Sequence, residues 1–110
     1  MRTLLRETGY LEDVGLSDGD LARATGAARS TARAWLSETS APTGERAERL
    51  IELAAMVERL ERLMQRDYIP VWLRKPIPAL DEHKPLDLIG QGEYRQVAKV
   101  ISGLEDTPAA

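Results

Sequence analysis

The sequence predicts an all-α protein, and three observations carry that prediction. No stretch alternates polar and apolar residues with the period of two that a half-buried strand needs. Apolar residues recur at helical spacing through most of the chain. Glycine and proline fall between those segments, where helices stop and start.

The elements follow in order. A first helix is expected over residues 2–13, with Leu4, Leu5, Leu11 and Val14 inward, Gly9 weakening its middle and Gly15 ending it. The second helix, 18–25, has a strong start. Ser17 and Asp20 have capping-box spacing, Leu16 and Leu21 sit as a hydrophobic staple, and Asp18 and Asp20 suit the helix dipole. Gly26 stops it, and a third helix is expected over 28–37, poorly capped because Ala28 has no side-chain acceptor. After a polar turn at 37–42, Thr43 caps the longest helix, 44–66. Its apolar residues at 50, 53, 54, 57, 60 and 64 form one face, with Glu45–Arg49 and Glu58–Arg62 as i,i+4 pairs outside. Five of those positions fit an a/d heptad, but the run is under three heptads and reads as internal core. From Asp67 the composition changes. Pro70 opens a short helix carrying Val71, Trp72 and Leu73, and Pro76 and Pro78 forbid its continuation. Pro85 opens another through Leu86, Leu88 and Ile89, ended by Gly90 and Gly92. A last helix spans 93–104, with Tyr94, Val97, Val100, Ile101 and Leu104 as its apolar set, and Glu105–Ala110 is expected to be a mobile tail. The chain thus divides into a unit at 1–66 and a second at 67–110.

Composition narrows the function. The 110 residues contain no cysteine and one histidine, His83, which removes disulfides, thiolate chemistry and multi-histidine metal clusters. There is no base–nucleophile pair and no glycine-rich phosphate loop, so an enzyme is not expected, nor a bound cofactor or metal. No apolar run approaches the ~20 residues of a membrane span, and no signal segment opens the chain, so a cytoplasmic location is expected. Net charge is −3, from 15 basic and 18 acidic residues, yet residues 16–37 are net positive, with three arginines against two aspartates. Twelve of the 15 cations are arginine, the residue suited to bidentate contact with phosphate, carboxylate or guanine.

Residues 18–37 match a helix-turn-helix. Ala22 supplies a small residue for the helix crossing, Gly26 tolerates the turn, and Ala32 and Trp35, with Leu21 and Leu36, supply a buried face. Arg29, Ser30, Thr31 and Arg33 then point outward near the start of the second helix, a set suited to the DNA major groove. Ser37, Thr39 and Ser40 stand where phosphates would pass. The plainer reading is a small helical domain with solvated arginines, and Asp18 and Asp20 would repel a nearby phosphate.

The second half carries Trp72-Leu73-Arg74-Lys75-Pro76-Ile77-Pro78-Ala79-Leu80, then Pro85-Leu86-Asp87-Leu88-Ile89, then Gly92-Glu93-Tyr94. Together with the helix-turn-helix, these motifs resemble the MbcA/ParS/Xre antitoxin family over about residues 10–104. The resemblance implies an Xre-like helix-turn-helix bundle followed by a small helical toxin-binding module. It further implies an antitoxin of a type II toxin–antitoxin pair that binds a RES-domain, NAD-degrading toxin and obstructs its active site. Repression of its own operon through the helix-turn-helix is implied as well, as is a homodimer or a hetero-oligomer with the toxin. The face of helix 44–66 and the last helix are candidate dimer surfaces. In this family the C-terminal end approaches the NAD pocket of the toxin. An acidic tail suits a pocket that binds pyrophosphate, so Glu105, Asp106 and the terminal carboxylate of Ala110 are candidate plug residues, with a frayed tail as the alternative.

Several motif residues have two readings. Trp72, Leu73, Pro78, Leu80, Leu86 and Leu88 are expected as module core. Asp87 and Glu93 are placed to cap helices, and Arg74 and Lys75 either contact a partner or stay solvated. Tyr94 and Tyr68 are interface anchors or core. His83, in a charged turn, is neither ligand nor base. The second functional hypothesis is an Xre-type transcriptional regulator without a toxin partner, whose C-terminal module serves oligomerisation.

Overall fold

Caps, glycines and prolines set most of the helix boundaries. The computed structural model describes residues 4–106, without the side chains of Leu4 and Leu5. The expected helical residues 2 and 3, the inward placing of Leu4 and Leu5, and the tail Thr107–Ala110 lie outside the described residues. Within them the helices are α1 (Leu4–Val14), α2 (Asp18–Thr25), α3 (Arg29–Leu36), α4 (Gly44–Leu60), α5 (Ile69–Arg74), α6 (Pro85–Gly90) and α7 (Tyr94–Glu105). Short 3-10 turns cover Arg66–Tyr68 and Pro78–Leu80. The only extended pairing among the described residues is an isolated antiparallel bridge between Ile77 and His83.

Several boundaries shift by one residue from expectation, as in α3 (29–36 rather than 28–37), and two differences bear on the site. α4 stops at Leu60 rather than 66, and its end tightens into i→i−3 bonds from Arg62 to Arg59 and from Leu63 to Leu60. A longer helix would carry Ile69, Trp72 and Leu73 away from the core, and their burial outweighs the local helical pattern. The Glu45–Arg49 pair forms at 3.7 Å. Glu58–Arg62 forms no ion pair, since Arg62 lies beyond the helix end. α7 runs through Glu105, one residue past the expected end, so the tail begins later than its composition suggests.

A single hydrophobic cluster joins all seven helices. It includes Leu11 and Val14 of α1, Leu21 and Ala24 of α2, Ala32 and Trp35 of α3, and Leu50, Leu53, Val57 and Leu60 of α4. Ile69, Trp72 and Leu73 of α5, Leu86 and Ile89 of α6, and Val97 and Ile101 of α7 complete it without a break at residue 67. α4 is the spine, packed against α1, α2, α6 and α7. Its apolar stripe is therefore consumed inside the chain and is not a free dimer surface. α2 also packs closely on α6. Gly90 has no room for a side chain there, because a Cβ would stand 2.1 Å from the Arg23 carbonyl oxygen.

Some expected core residues are outside. Pro78 is exposed, serving only to start its 3-10 turn. Val71 and Leu104 are also exposed, at 46% and 41%. Tyr68 is exposed and receives a hydrogen bond from Lys75 Nζ at 2.6 Å. His83 is exposed, with Nδ1 2.9 Å from the Leu80 carbonyl.

Candidate functional site

The helix-turn-helix is built as its sequence requires. The Ser17 amide donates to Asp20 Oδ2 at 2.8 Å, and the Asp20 amide donates to Ser17 Oγ at 3.2 Å, closing the capping box. Gly26 takes the left-handed conformation of the turn, φ 78°, and its amide donates to the Ala22 carbonyl at 2.9 Å. Arg49 of α4 braces this turn by donating to the Thr25 carbonyl at 3.3 Å. Ala24 is the fully buried alanine of α2, while Ala22 is half-buried. On α3, Ala32 and Trp35 face inward. Ala28 precedes that helix in an extended conformation with no side-chain cap, as its methyl group dictates.

The outward face of α3 presents Arg29, Ser30 and Arg33 exposed and Thr31 half-buried. Asp18 organises the two arginines. Arg29 Nε donates to its Oδ1 at 2.9 Å and Arg33 Nε to its Oδ2 at 3.1 Å. The hydrogen bond from Arg29, assisted by Arg33 and opposed by partial burial, holds the Asp18 carboxyl below its ordinary value. The Asp18 charge, expected to repel a nearby phosphate, is shared between two cations. Asp20 is also neutralised. Arg74 donates to Oδ1 at 3.0 Å through Nε and to Oδ2 at 2.6 Å through Nη2, and reaches the Gly15 carbonyl at 3.2 Å. Burial pushes the Asp20 carboxyl up, but Arg74 and the Ser17 amide outweigh it and leave the group lowered. Ser37 and Thr39 both donate their hydroxyls to the Ala34 carbonyl, at 3.2 Å each, and so close the end of α3.

The five residues expected to face a toxin are spread over the second half. Arg74 lies at the joint with α2, in the Asp20 pair. Tyr94 opens α7, half-buried, its hydroxyl 3.5 Å from Glu48 Oε1. Glu105 closes the same helix in a two-point pair with Arg59, at 2.5 and 3.0 Å, and Arg59 also donates to Ser102 Oγ at 2.9 Å. The hydrogen bonding from Arg59 to Glu105 lowers the Glu105 carboxyl, against desolvation. Asp106 is exposed just after the helix, and Ala110 lies outside the described residues. Asp87 does not cap α6 through its side chain but pairs with Arg23 of α2 at 3.3 Å. Glu93 occupies the cap position of α7 without a capping bond and accepts instead from Gln96 at 2.9 Å. Beside α7 a cleft of about 390 Å³ is lined by Ala79, Leu80, Gln96, Lys99 and Val100. Among the described residues, no group of three acidic or histidine side chains is placed to hold a metal ion. No described helix is long and apolar enough to cross a membrane.

These features define a class first: an all-α chain in which a helix-turn-helix is locked, through α4 and α6, to a module of short proline-started helices. No family model matches the chain. Among characterised proteins it is 34% identical over 102 residues to the mycobacterial cidal antitoxin MbcA of Mycobacterium tuberculosis, covering 90% of this chain and 88% of the relative. The MbcA of Mycobacterium bovis matches to the same extent. Among solved structures, a chain of the crystal structure of the M. tuberculosis MbcT–MbcA toxin–antitoxin complex superposes with a TM-score of 0.80 at 28% identity. It covers 99% of this chain and 100% of that one. The chain belongs to the MbcA antitoxin family, whose role is regulatory rather than enzymatic.

Proposed function

We propose that this chain is the antitoxin of a type II pair, neutralising a RES-domain, NAD-degrading toxin by obstructing its active site, and that its helix-turn-helix head represses its own operon. One observation carries the reading: the near full-length likeness, in sequence and fold, to MbcA, which has been solved in complex with MbcT. The partition of labour is a head within 1–66 and a toxin-binding module at 67–110. In the module, the exposed Leu104 and the cleft lined by Ala79, Leu80 and Val100 lie along α7, which leads into the tail. Arg59 anchors Glu105, so that residue fixes where the tail starts, while Asp106 leads the segment, through Ala110, that enters a pyrophosphate-binding pocket. Tyr94, partly exposed at the other end of α7, offers an aromatic contact, and Arg74 acts on the toxin through its hold on the module rather than by touching it. The complex forms in the cytoplasm, as a hetero-oligomer with the toxin or on a homodimer of this chain.

Co-expression with the product of the neighbouring gene tests this. The two proteins are expected to co-purify, and cellular NAD, depleted by the partner alone, is expected to be preserved. Failure to co-purify, with NAD still depleted, overturns the antitoxin reading. Binding of the promoter region without any retained partner would instead identify an Xre-type regulator, the reading that the exposed arginine face of α3 also supports.

A further inference from the structure

The Asp18 clamp has a geometry that simple charge neutralisation does not require. Its two oxygens are divided, one to Arg29 and one to Arg33, and both arginines are engaged through Nε. The two arginines are i,i+4 neighbours on α3, so their guanidinium groups are set side by side. Their side chains remain 69% and 68% exposed, against 16% for Asp18. Asp18 itself is anchored at the first position of α2, inside the Ser17–Asp20 capping box that Arg74 braces from α5. The clamp is thus tied to the core, and the arginines are tied to the clamp.

We propose that Asp18 is a positioning residue that holds Arg29 and Arg33 as a matched pair of forks for guanine in the major groove. The proposal rests on the reading of this head as a DNA-binding element. A guanidinium held through Nε keeps its terminal Nη groups for a two-point contact, and guanine O6 and N7 are the acceptors with that spacing. Phosphate binding needs no such orientation. A carboxylate between the two cations weakens phosphate attraction, so its presence favours selectivity over general affinity. An unrestrained arginine also loses side-chain entropy on binding, and a pre-set one loses less. Arg23, the third arginine of residues 16–37, is engaged by Asp87 and does not compete for Asp18.

The test uses the full chain, its Asp18→Asn and Asp18→Glu variants, and three duplexes. The first comes from the promoter region of its own gene, the second is a scrambled duplex of equal composition, and the third is the promoter duplex with 7-deazaguanine, which removes N7. Asp18→Asn is expected to bind the scrambled duplex at least as well as the parent, while its preference for the promoter duplex falls roughly tenfold. Deazaguanine should weaken the parent more than Asp18→Asn, and Asp18→Glu should restore part of the preference. In nitrogen-15 spectra of the unbound protein, the Arg29 and Arg33 Nε–H signals should be protected in the parent and lost in Asp18→Asn, with the amide spectrum of the core unchanged. A preference that survives or rises in Asp18→Asn would mean that the clamp withdraws the arginines, and overturns the proposal. So would a parent protein indifferent to deazaguanine. A parent that binds none of the duplexes overturns the DNA-binding reading itself, a result seen before any variant is compared.

Discussion

Asp20 shows how much one carboxylate can hold. It accepts the Ser17 amide as part of the α2 cap, and it takes Arg74 of α5 at two points, while only 8% exposed. Its carboxyl is lowered in the folded state, because Arg74 and the amide outweigh the upward push of burial. A carboxyl lowered on folding stabilises the protein above the unfolded value, near ~4, and that contribution is lost as pH falls through the folded value. Arg74→Met should therefore cost about 1–2 kcal/mol at pH 7, the lower part of the range for an unpaired buried acid, because solvent screens the half-exposed guanidinium. Urea unfolding of parent and variant checks this: the gap should narrow as the pH is taken from 7 to below the carboxylate range. A gap unmoved by acid would mean that the arginine acts through its hydrocarbon stem alone. The cap half of this arrangement was legible, because Ser17 and Asp20 are three residues apart and the capping box is local. The Arg74 half was not, with 54 residues between the partners. The same holds for Arg59 and Glu105, 46 apart, and for Tyr10, whose hydroxyl donates to Glu61 at 2.8 Å across 51 residues. Burial and Glu61 raise that phenol, an effect no local pattern announces.

Among the elements, two glycines of similar appearance in the sequence have opposite meanings. Gly9 lies in the middle of α1, and a Cβ built there meets nothing within 4 Å beyond its chain neighbours and the backbone of its own helix. Gly9→Ala removes backbone freedom from the unfolded chain without a clash, so it should stabilise by about 0.5–1 kcal/mol. Gly90 ends α6 against α2, where a Cβ would fall 2.1 Å from the Arg23 oxygen and 3.3 Å from its carbonyl carbon. Backbone cannot swing aside as a side chain can, so Gly90→Ala must separate α2 from α6, with a cost of about 3 kcal/mol or more. Thermal unfolding should rise by a few degrees for the first variant and fall by about 10 °C or more for the second. A neutral Gly90→Ala would mean that the α2–α6 contact is not rigid. The helices themselves were largely legible, since Gly26, Pro70, Pro85 and the Ser17 cap mark their ends in the chain. What was hidden is how they meet. The stop of α4 at Leu60 has no glycine or proline to announce it, and it follows from where Ile69 and Trp72 must be buried.

Across the whole molecule, one core carries two exposed working ends, so their functions should separate by mutation while stability is retained. Arg29 and Arg33 contact Asp18 but contribute nothing to the buried cluster. Replacing both by alanine also leaves Asp18 unpaired on the reading face, so the local charge moves from one positive to one negative. Promoter binding should fall by more than the loss of two cations implies, and its dependence on salt should flatten, since each phosphate contact adds a slope of about −0.9 in log affinity against log salt. Neutralisation of the toxin should be unchanged. The complementary variant removes residues 107–110 only. Cutting from 105 would also break the Arg59 pair and fray α7, confusing a lost plug with a loosened helix. The shorter deletion keeps Glu105 on Arg59, so it should preserve promoter binding and thermal stability while protection of NAD fails. Full protection by that truncated chain, which keeps Asp106, would show that residues 107–110 are dispensable and would leave the inhibitory contact to Asp106 and the edge of α7 around Val100 and Leu104. The net charge of −3 is unevenly placed: residues 16–37, which carry Arg29 and Arg33, are net positive, while Glu105 and Asp106 put acid at the end of α7.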